Sequence, residues 1–558
     1  MNNYSKEIYN RTLKGMAEVL TAAVVASVMA TGCGNTKTDQ ASGTGDAAAQ
    51  ASSDSSSESV SSVSASKDVK SAKGEIAITV TDGNIDISGQ NSDSVKLSGS
   101  TITITKAGTY RLSGTLTEGQ ILVEAGDKDD VQLVLDGFSI SNSETAPIYV
   151  KTSGNFFLEI EAGTDNTVED KREAVSSTDS TVAEEIPDAA IYSKSDLYII
   201  GTGTLNVNGG YADGIHGKDL LMVSEAVTLN INAAEHGING KDSLEIQAGT
   251  FNITSGEDAL HSKGDVIISD GTVNISAEDD GIHAETALII NGGKVNVAES
   301  YEGLEGLSVT INGGEVSVTA SDDGINSAGG SDTSDDIFAV TDGAAITING
   351  GTVYITAAGD GIDSNGNVVI TGGDIYVDGP EMDGNASLDY NGTATITGGS
   401  FALTGSSGMF QSFSEDSTQA QIIVYYSEKQ AAGTEITVTD SEGNVIYENA
   451  DSTKAFTAFL LSDAKLKDGE TYTVKTGDQE ETVTIDGLTG TIGERSANMM
   501  GGRMGGPGQG GPRGQGGPGG QGGNAPSDMG GTLPEMNGAA GQMGNPPEGA
   551  PEMPAETR

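Results

Sequence analysis

One short phrase recurs through the middle of this chain, built from side chains that bind cations or move protons. It reads Asp213-Gly-Ile-His216, His236-Gly-Ile-Asn239, Asp258-Ala-Leu-His261 and Asp280-Gly-Ile-His283. It continues as Glu302-Gly-Leu-Glu305, Asp323-Gly-Ile-Asn326 and Asp360-Gly-Ile-Asp363, with a degenerate copy at Asp383. All four histidines of the chain sit in these copies, and a further acid often precedes the phrase, as at Asp279 and Asp322. Carboxylates stacked about 4.8 Å apart repel by roughly 1 kcal/mol even in water, and by more in a low dielectric. Such a column asks for a counter-charge. Clustered carboxylate and amide oxygens suit Ca²⁺, which takes roughly six to eight hard ligands. The candidate metal ligands are Asp213, Asp258, Asp279, Asp280, Glu302, Glu305, Asp322, Asp323, Asp360 and Asp363. Zn²⁺ fits less well, because three histidines share a column but no cysteine is near. His216, His261 and His283, with Lys218, Lys241 and Lys263, are candidates for contact with a bound ligand. Tyr211 and Tyr301, beside the acidic phrase, can stack on a sugar ring. The plainer reading of the column is a solvated acidic edge, and of Lys194, Lys218, Lys241 and Lys263 a ladder paired with Asp196, Asp219, Asp242 and Asp265.

The elements that position these residues follow from the spacing. First residues at 213, 236, 258, 280, 302, 323, 360 and 383 give steps of 23, 22, 22, 22, 21, 37 and 23. The long step contains Gly329–Asp336, read as a loop inserted into one repeat. A period near twenty-two residues marks a solenoid. Each repeat carries alternating runs such as Leu244-Glu-Ile246 and Thr250-Phe-Asn-Ile253, which is strand periodicity. Turns such as Asn291-Gly-Gly293 and Asn312-Gly-Gly314 supply the positive φ of a sharp corner. Three short strands and three corners per repeat make one rung of a parallel β-helix. Within each phrase the acid and the Ile are two residues apart, so the backbone must bend between them.

Charge and composition bound the partners. The chain has 558 residues, 28 basic and 81 acidic side chains, and a net charge of −53. It has no basic stripe with which to release counterions from nucleic acid. An anionic ligand is repelled too, unless a cation lies between. The N-terminus reads as an export signal: Lys6, Arg11 and Lys14 precede an apolar run that ends at Ala30-Thr-Gly-Cys33. Cys33 is the single cysteine, placed as in a lipobox and expected to carry a lipid. The domain plan is then residues 1–33 as a lipoprotein signal, 34–74 as a Ser- and Ala-rich linker, and 75–188 as N-terminal rungs with an acidic loop over Thr164–Pro187. Residues 189–413 are the regular repeats and 420–492 a small antiparallel β module, either a separate sandwich or a cap on the open end of the helix. Residues 496–558 form a Gly-, Pro- and Met-rich tail expected to be disordered. The expected place is the outer face of a bacterial cell membrane, with the lipid as the sole membrane contact, and the expected state is a monomer.

The ordered motifs carry a resemblance. Gly108-Thr-Tyr-Arg-Leu-Ser-Gly114, Leu133-Val-Leu-Asp-Gly137, Ala189-Ala-Ile-Tyr-Ser-Lys-Ser-Asp-Leu197, Gly201-Thr-Gly-Thr-Leu205 and Asp213-Gly-Ile-His-Gly-Lys-Asp219 resemble the bacterial carbohydrate-binding domain-containing family. The likeness spans roughly residues 76–490. It implies a right-handed parallel β-helix, bound calcium, and non-catalytic binding of polysaccharides, cellulosic or acidic and pectin-like. It also makes the Asp-Gly-Ile column the calcium-bearing face. His236 in place of an acid, Ala259 in place of Gly, and the Asp383 copy depart from the pattern.

Two other functions compete with this reading. Many pectin lyases and galacturonases use a β-helix, but fold alone does not carry function. Calcium-dependent elimination needs a strong base, and no Arg occurs between Ala189 and Phe413. The pairs Asp279-Asp280 and Asp322-Asp323 leave acid–base hydrolysis open. The third class is a structural or adhesive surface rod with calcium as a staple.

Overall fold

The protein is described from a computed structural model, which defines residues 74–81, 83–89, 92–174, 186–328, 339–449 and 452–495. The export signal, Cys33, nearly all of the linker, the tail and the whole 329–336 insertion lie outside the described residues. Among the described residues the chain is all β apart from one 3-10 turn at Ser92–Ser94. It winds into a β-solenoid of about 12 turns with a small antiparallel sheet.

Each turn contributes a strand to three parallel faces. The first face includes Leu197–Gly201, Leu220–Val223, Ser243–Ile246 and Asp265–Ile268. The second includes Thr204–Gly209, Thr228–Ala233, Thr250–Ser255 and Thr272–Ala277. The third is made of shorter strands such as Asp213–Gly217, Ile238–Gly240 and Leu260–Ser262. Alternation turns one side of each strand inward. Leu205, Leu229, Phe251, Val273 and Val295 therefore stack in register as one fully buried ladder. Ile215, Ile238, Leu260, Ile282 and Leu304 form another from the third face.

The three corners differ in chemistry. Between the first and second faces Gly271, Gly293, Gly314, Gly351 and Gly373 repeat a positive φ of 81° to 111°. Between the second and third lies the acidic phrase. Between the third and first come Lys218, Lys241 and Lys263. The expected bend sits at the residue after the acid: a Cβ at Gly281 would lie 2.5 Å from Gly303 O and 2.7 Å from Val297 Cγ1.

The ends are closed by antiparallel strands. Ile76–Thr81 pairs antiparallel with Asn84–Ser88 and parallel with Gly108–Thr117. At the other end Phe456–Asp463 lies antiparallel to Ser400–Gly405, the last strand of the second face, and to Gln421–Gln430. The C-terminal module is thus a cap, carrying a sheet of Ile436–Thr439, Val445–Asn449, Thr471–Thr476 and Gln479–Thr484. The expected acidic loop is shorter than its composition suggested. Asp165–Asp170 is a strand of the second face. Its inward position holds Asn166, whose Oδ1 accepts the Phe138 N–H and whose Nδ2 donates to Thr164 Oγ1 and Thr204 O.

Candidate metal centre and its surroundings

The acidic corner gathers two columns. The corner column runs Asp213, His236, Asp258, Asp280, Glu302, Asp323 and Asp360. Its eighth member is Ala386, not Asp383: Gly361 donates its N–H to Ala386 O as Gly324 does to Asp360 O. The strand column, one step beyond each inward Ile or Leu, runs Tyr192, His216, Asn239, His261, His283, Glu305, Asn326, Asp363 and Asp389 in continuous register.

The five corner aspartates divide their two oxygens between two tasks. One oxygen accepts the backbone N–H of the next corner residue: Asp213 from His236 (3.1 Å), Asp258 from Asp280 (3.1 Å) and Asp280 from Glu302 (3.2 Å). Asp323 and Asp360 do the same for Asp360 and Ala386, at 2.5 Å in both cases. The other oxygen faces the strand column. Asp213 Oδ2 accepts from Asn239 Nδ2 at 3.0 Å, and Glu302 Oε2 from Asn326 Nδ2 at 2.8 Å. His283 Nδ1 lies 3.5 Å from both Asp258 Oδ2 and Asp280 Oδ2, and 3.2 Å from Glu305 Oε2.

Five groups of potential ligand atoms result, each within 4.8 Å of its fellows. They are Asp188–Asp213–His216, His236–Asp258–His261, Asp258–Asp280–His283, Asp280–Glu302–Glu305 and Asp323–Asp360–Asp363. The last two are all oxygen. Between them in the strand column sits Asn326, whose buried Oδ1 has no hydrogen-bond partner. Three carboxylates and an uncommitted amide oxygen form a donor set that fits Ca²⁺.

Burial and mutual repulsion mark the same clusters. Burial first, then the hydrogen bond to Glu305 and the charge of Asp258, pushes Asp280 up to about 10. Burial and neighbouring carboxylates raise Asp363 to about 8, Glu302 and Asp360 to about 7, and Asp323 to about 6. Burial raises Asp213 well above the carboxylate range, with Asp188 adding to it. Asp258 is the exception: burial opposes its charge, but His283 and His236 outweigh it and hold the carboxyl low.

Other expected site residues fall elsewhere. Asp279 and Asp322 lie outside the five groups, Asp279 being exposed and Asp322 bonded to the half-exposed Tyr301. Tyr211 is covered, because the Arg172 guanidinium lies 3.9 Å from its ring centroid while paired with the buried Asp170. The lysine ladder is not paired as expected. Lys194 and Lys218 lie over the Tyr149 and Tyr192 rings, 5.9 Å from each centroid. The lysine ion pairs among the described residues are elsewhere, and Asp196 instead accepts the Leu220 N–H. Asp188 and Asp389 belong to the corner although the repeated phrase does not contain them. Asp188 Oδ1 lies 2.7 Å from His216 Nδ1. The signal for Asp389 was the apolar third position of Ala386-Ser-Leu-Asp389, not an acid at the first.

Comparison with known proteins finds likeness over part of the chain. Residues 98–345 match the carbohydrate-binding domain-containing protein family. The matched segment holds the acidic corner from Asp188 to Asp323 and stops before Asp360. A carbohydrate-binding domain-containing protein of Acetivibrio thermocellus is 35% identical over 153 residues, which are 27% of this chain and 52% of that protein. The chain thus spans about half the length of the curated relative it matches. A solved polysaccharide lyase-like protein from C. thermocellum, a gadolinium derivative, shares 31% identity at a TM-score of 0.36. That match covers 43% of this chain and 93% of the other.

Proposed function

We propose that the acidic corner binds a polysaccharide without cleaving it, and that calcium held by Asp280, Glu302, Glu305, Asp323, Asp360 and Asp363 joins protein to glycan. The observation that carries this reading is the pair of all-oxygen clusters flanking the unpartnered Asn326 Oδ1. A chain of net charge −53 holds a uronate only through a cation. Protein oxygens supply part of the calcium shell and glycan carboxylates or hydroxyls the rest. Acidic, pectin-like chains are the first choice of ligand and cellulosic chains the second. The export pattern ending at Cys33 supports a place on the outer cell surface. Binding rather than elimination is supported by the commitment of Arg172, the guanidinium stacked on Tyr211 beside Asp213, to Asp170.

The test is affinity of the full chain for polygalacturonate and for cellulose, with calcium and then with chelator. Binding that vanishes on chelation, with no change in glycan length, is the expected result. No binding in either condition overturns the reading and leaves a structural solenoid. Shortened or unsaturated sugars make the protein an enzyme.

A further inference from the structure

Oxygen donors do not run the whole length of the corner. Between the clusters of Asp213 and Asp280 the donor set turns to nitrogen. The His236 and His261 ring centroids lie 4.3 Å apart, and those of His261 and His283 5.4 Å. His236 Nδ1 is 3.8 Å from Asp258 Oδ2, and His236, Asp258 and His261 each bring a ligand atom within 4.8 Å of the other two. A tetrahedral shell with ligands about 2 Å from the ion separates its donors by about 3.3 Å, so modest side-chain movement closes this triad on an ion.

A second observation is independent of that clustering. His261 is only 8% exposed, yet its Nδ1 has no hydrogen-bond partner, and neither has the buried Nδ1 of His236. A buried polar atom left unsatisfied costs about 1–3 kcal/mol, and native structures hold few of them. Two in one triad, on the residue type that most often ligates transition metals, point to a use for the nitrogens. Burial and the adjoining His236 ring also push His261 down to about 3, keeping it neutral.

His283 is set apart from the pair. Its Nδ1 faces three carboxylates, and although burial works against its charge, Asp258 and Glu305 raise it above the ordinary imidazole value. It fills the rung between the nitrogen triad and the oxygen clusters.

We propose that His236, Asp258 and His261 form a binding site for one divalent transition ion of the Zn²⁺ type, distinct from the oxygen clusters. Imidazole suits zinc and its neighbours in the first row, whereas calcium takes oxygen. Two histidines and a carboxylate leave a fourth position open for water or a ligand oxygen. The site stands independently of the calcium reading.

The test is titration of the full chain with Zn²⁺ alone in a large excess of Ca²⁺, with Co²⁺ as a second probe for its visible ligand-field bands. His261→Asn and His236→Asn are the variants. Asn occupies the first of these positions at Asn239 and Asn326, and at the second it has the shape of Asp213 and Asp258 without the charge, so the corner accepts both. One Zn²⁺ per chain, weakened at least tenfold in each variant, with intensified Co²⁺ bands lost in both, is the expected result. Absence of Zn²⁺ binding in the natural chain, or binding unchanged in both variants, overturns the proposal. Loss of the calcium response with Zn²⁺ binding intact would overturn the calcium reading alone.

Discussion

The Oδ1 of Asp258 accepts the backbone N–H of Asp280, its counterpart in the next rung, at 3.1 Å. The same brace recurs from Asp213, Asp280, Asp323 and Asp360. It gives the corner acids a structural reason to recur beside any metal. The bend after each corner residue takes the corner N–H out of the regular ladder, and a buried N–H needs an acceptor. A carboxylate supplies it and keeps one oxygen free.

Asp280 separates the two roles. Held as a neutral acid at about 10 by burial and by its hydrogen bond to Glu305, it resembles an amide in the calcium-free protein. Asp280→Asn should leave calcium-free stability unchanged or slightly higher, while weakening calcium binding. Asp280→Ala strands the Glu302 N–H and should cost about 1–3 kcal/mol. Urea unfolding in chelator, with a calcium titration alongside, separates the variants. Equal losses from both would mean that the brace carries no weight.

Stability without calcium should fall as pH rises from 6.5 to 8.5. Glu302 and Asp360 near 7 and Asp363 near 8 sit far above their ordinary values of 4.5 and 3.8. The folded state therefore keeps protons that the unfolded chain has released, and the linkage slope is negative. Below 6.5 the half-buried His236 and the buried His261, both lowered, act in the opposite sense, so the window starts there. Calcium binds the deprotonated form and should flatten the slope while gaining affinity with pH. A urea midpoint that climbs with pH in chelator would contradict this.

The glycine corner tolerates no side chain. At Gly314, φ is +90° and an added Cβ would lie 2.6 Å from Gly293 O. Gly314→Ala should lower stability by about 2 kcal/mol or more, read as a drop in thermal midpoint. Gly137, also at positive φ but with open space around it, should lose less on the same change.

Side-chain amides staple the outside of the second face. Asn230, Asn252 and Asn274 each donate to the amide oxygen of the preceding rung, at 2.9, 2.8 and 3.0 Å. Asn252→Ala breaks two of these bonds and should cost about 1 kcal/mol, with calcium binding unchanged. An effect on calcium would show that this face and the acidic corner are coupled.

By itself the sequence determined the solenoid, its period, the inward Ile and Leu ladders and the corner that carries the charge. Every rung meets the same neighbours, so equal spacing demands equal residues, and a repeated phrase is a direct record of a repeated environment. Tertiary structure decided what depends on where the chain resumes after an irregular step. Asp383 matched the phrase in letters, but Leu388 takes the inward position, which puts Ala386 in the corner column and Asp389 in the strand column. Asp188 joined the corner through its contact with His216, and Arg172 came from outside the repeats to cover Tyr211. The division of each carboxylate between a backbone N–H and the strand column was equally absent from the letters. It depends on the bend after each corner residue, which only the folded backbone sets.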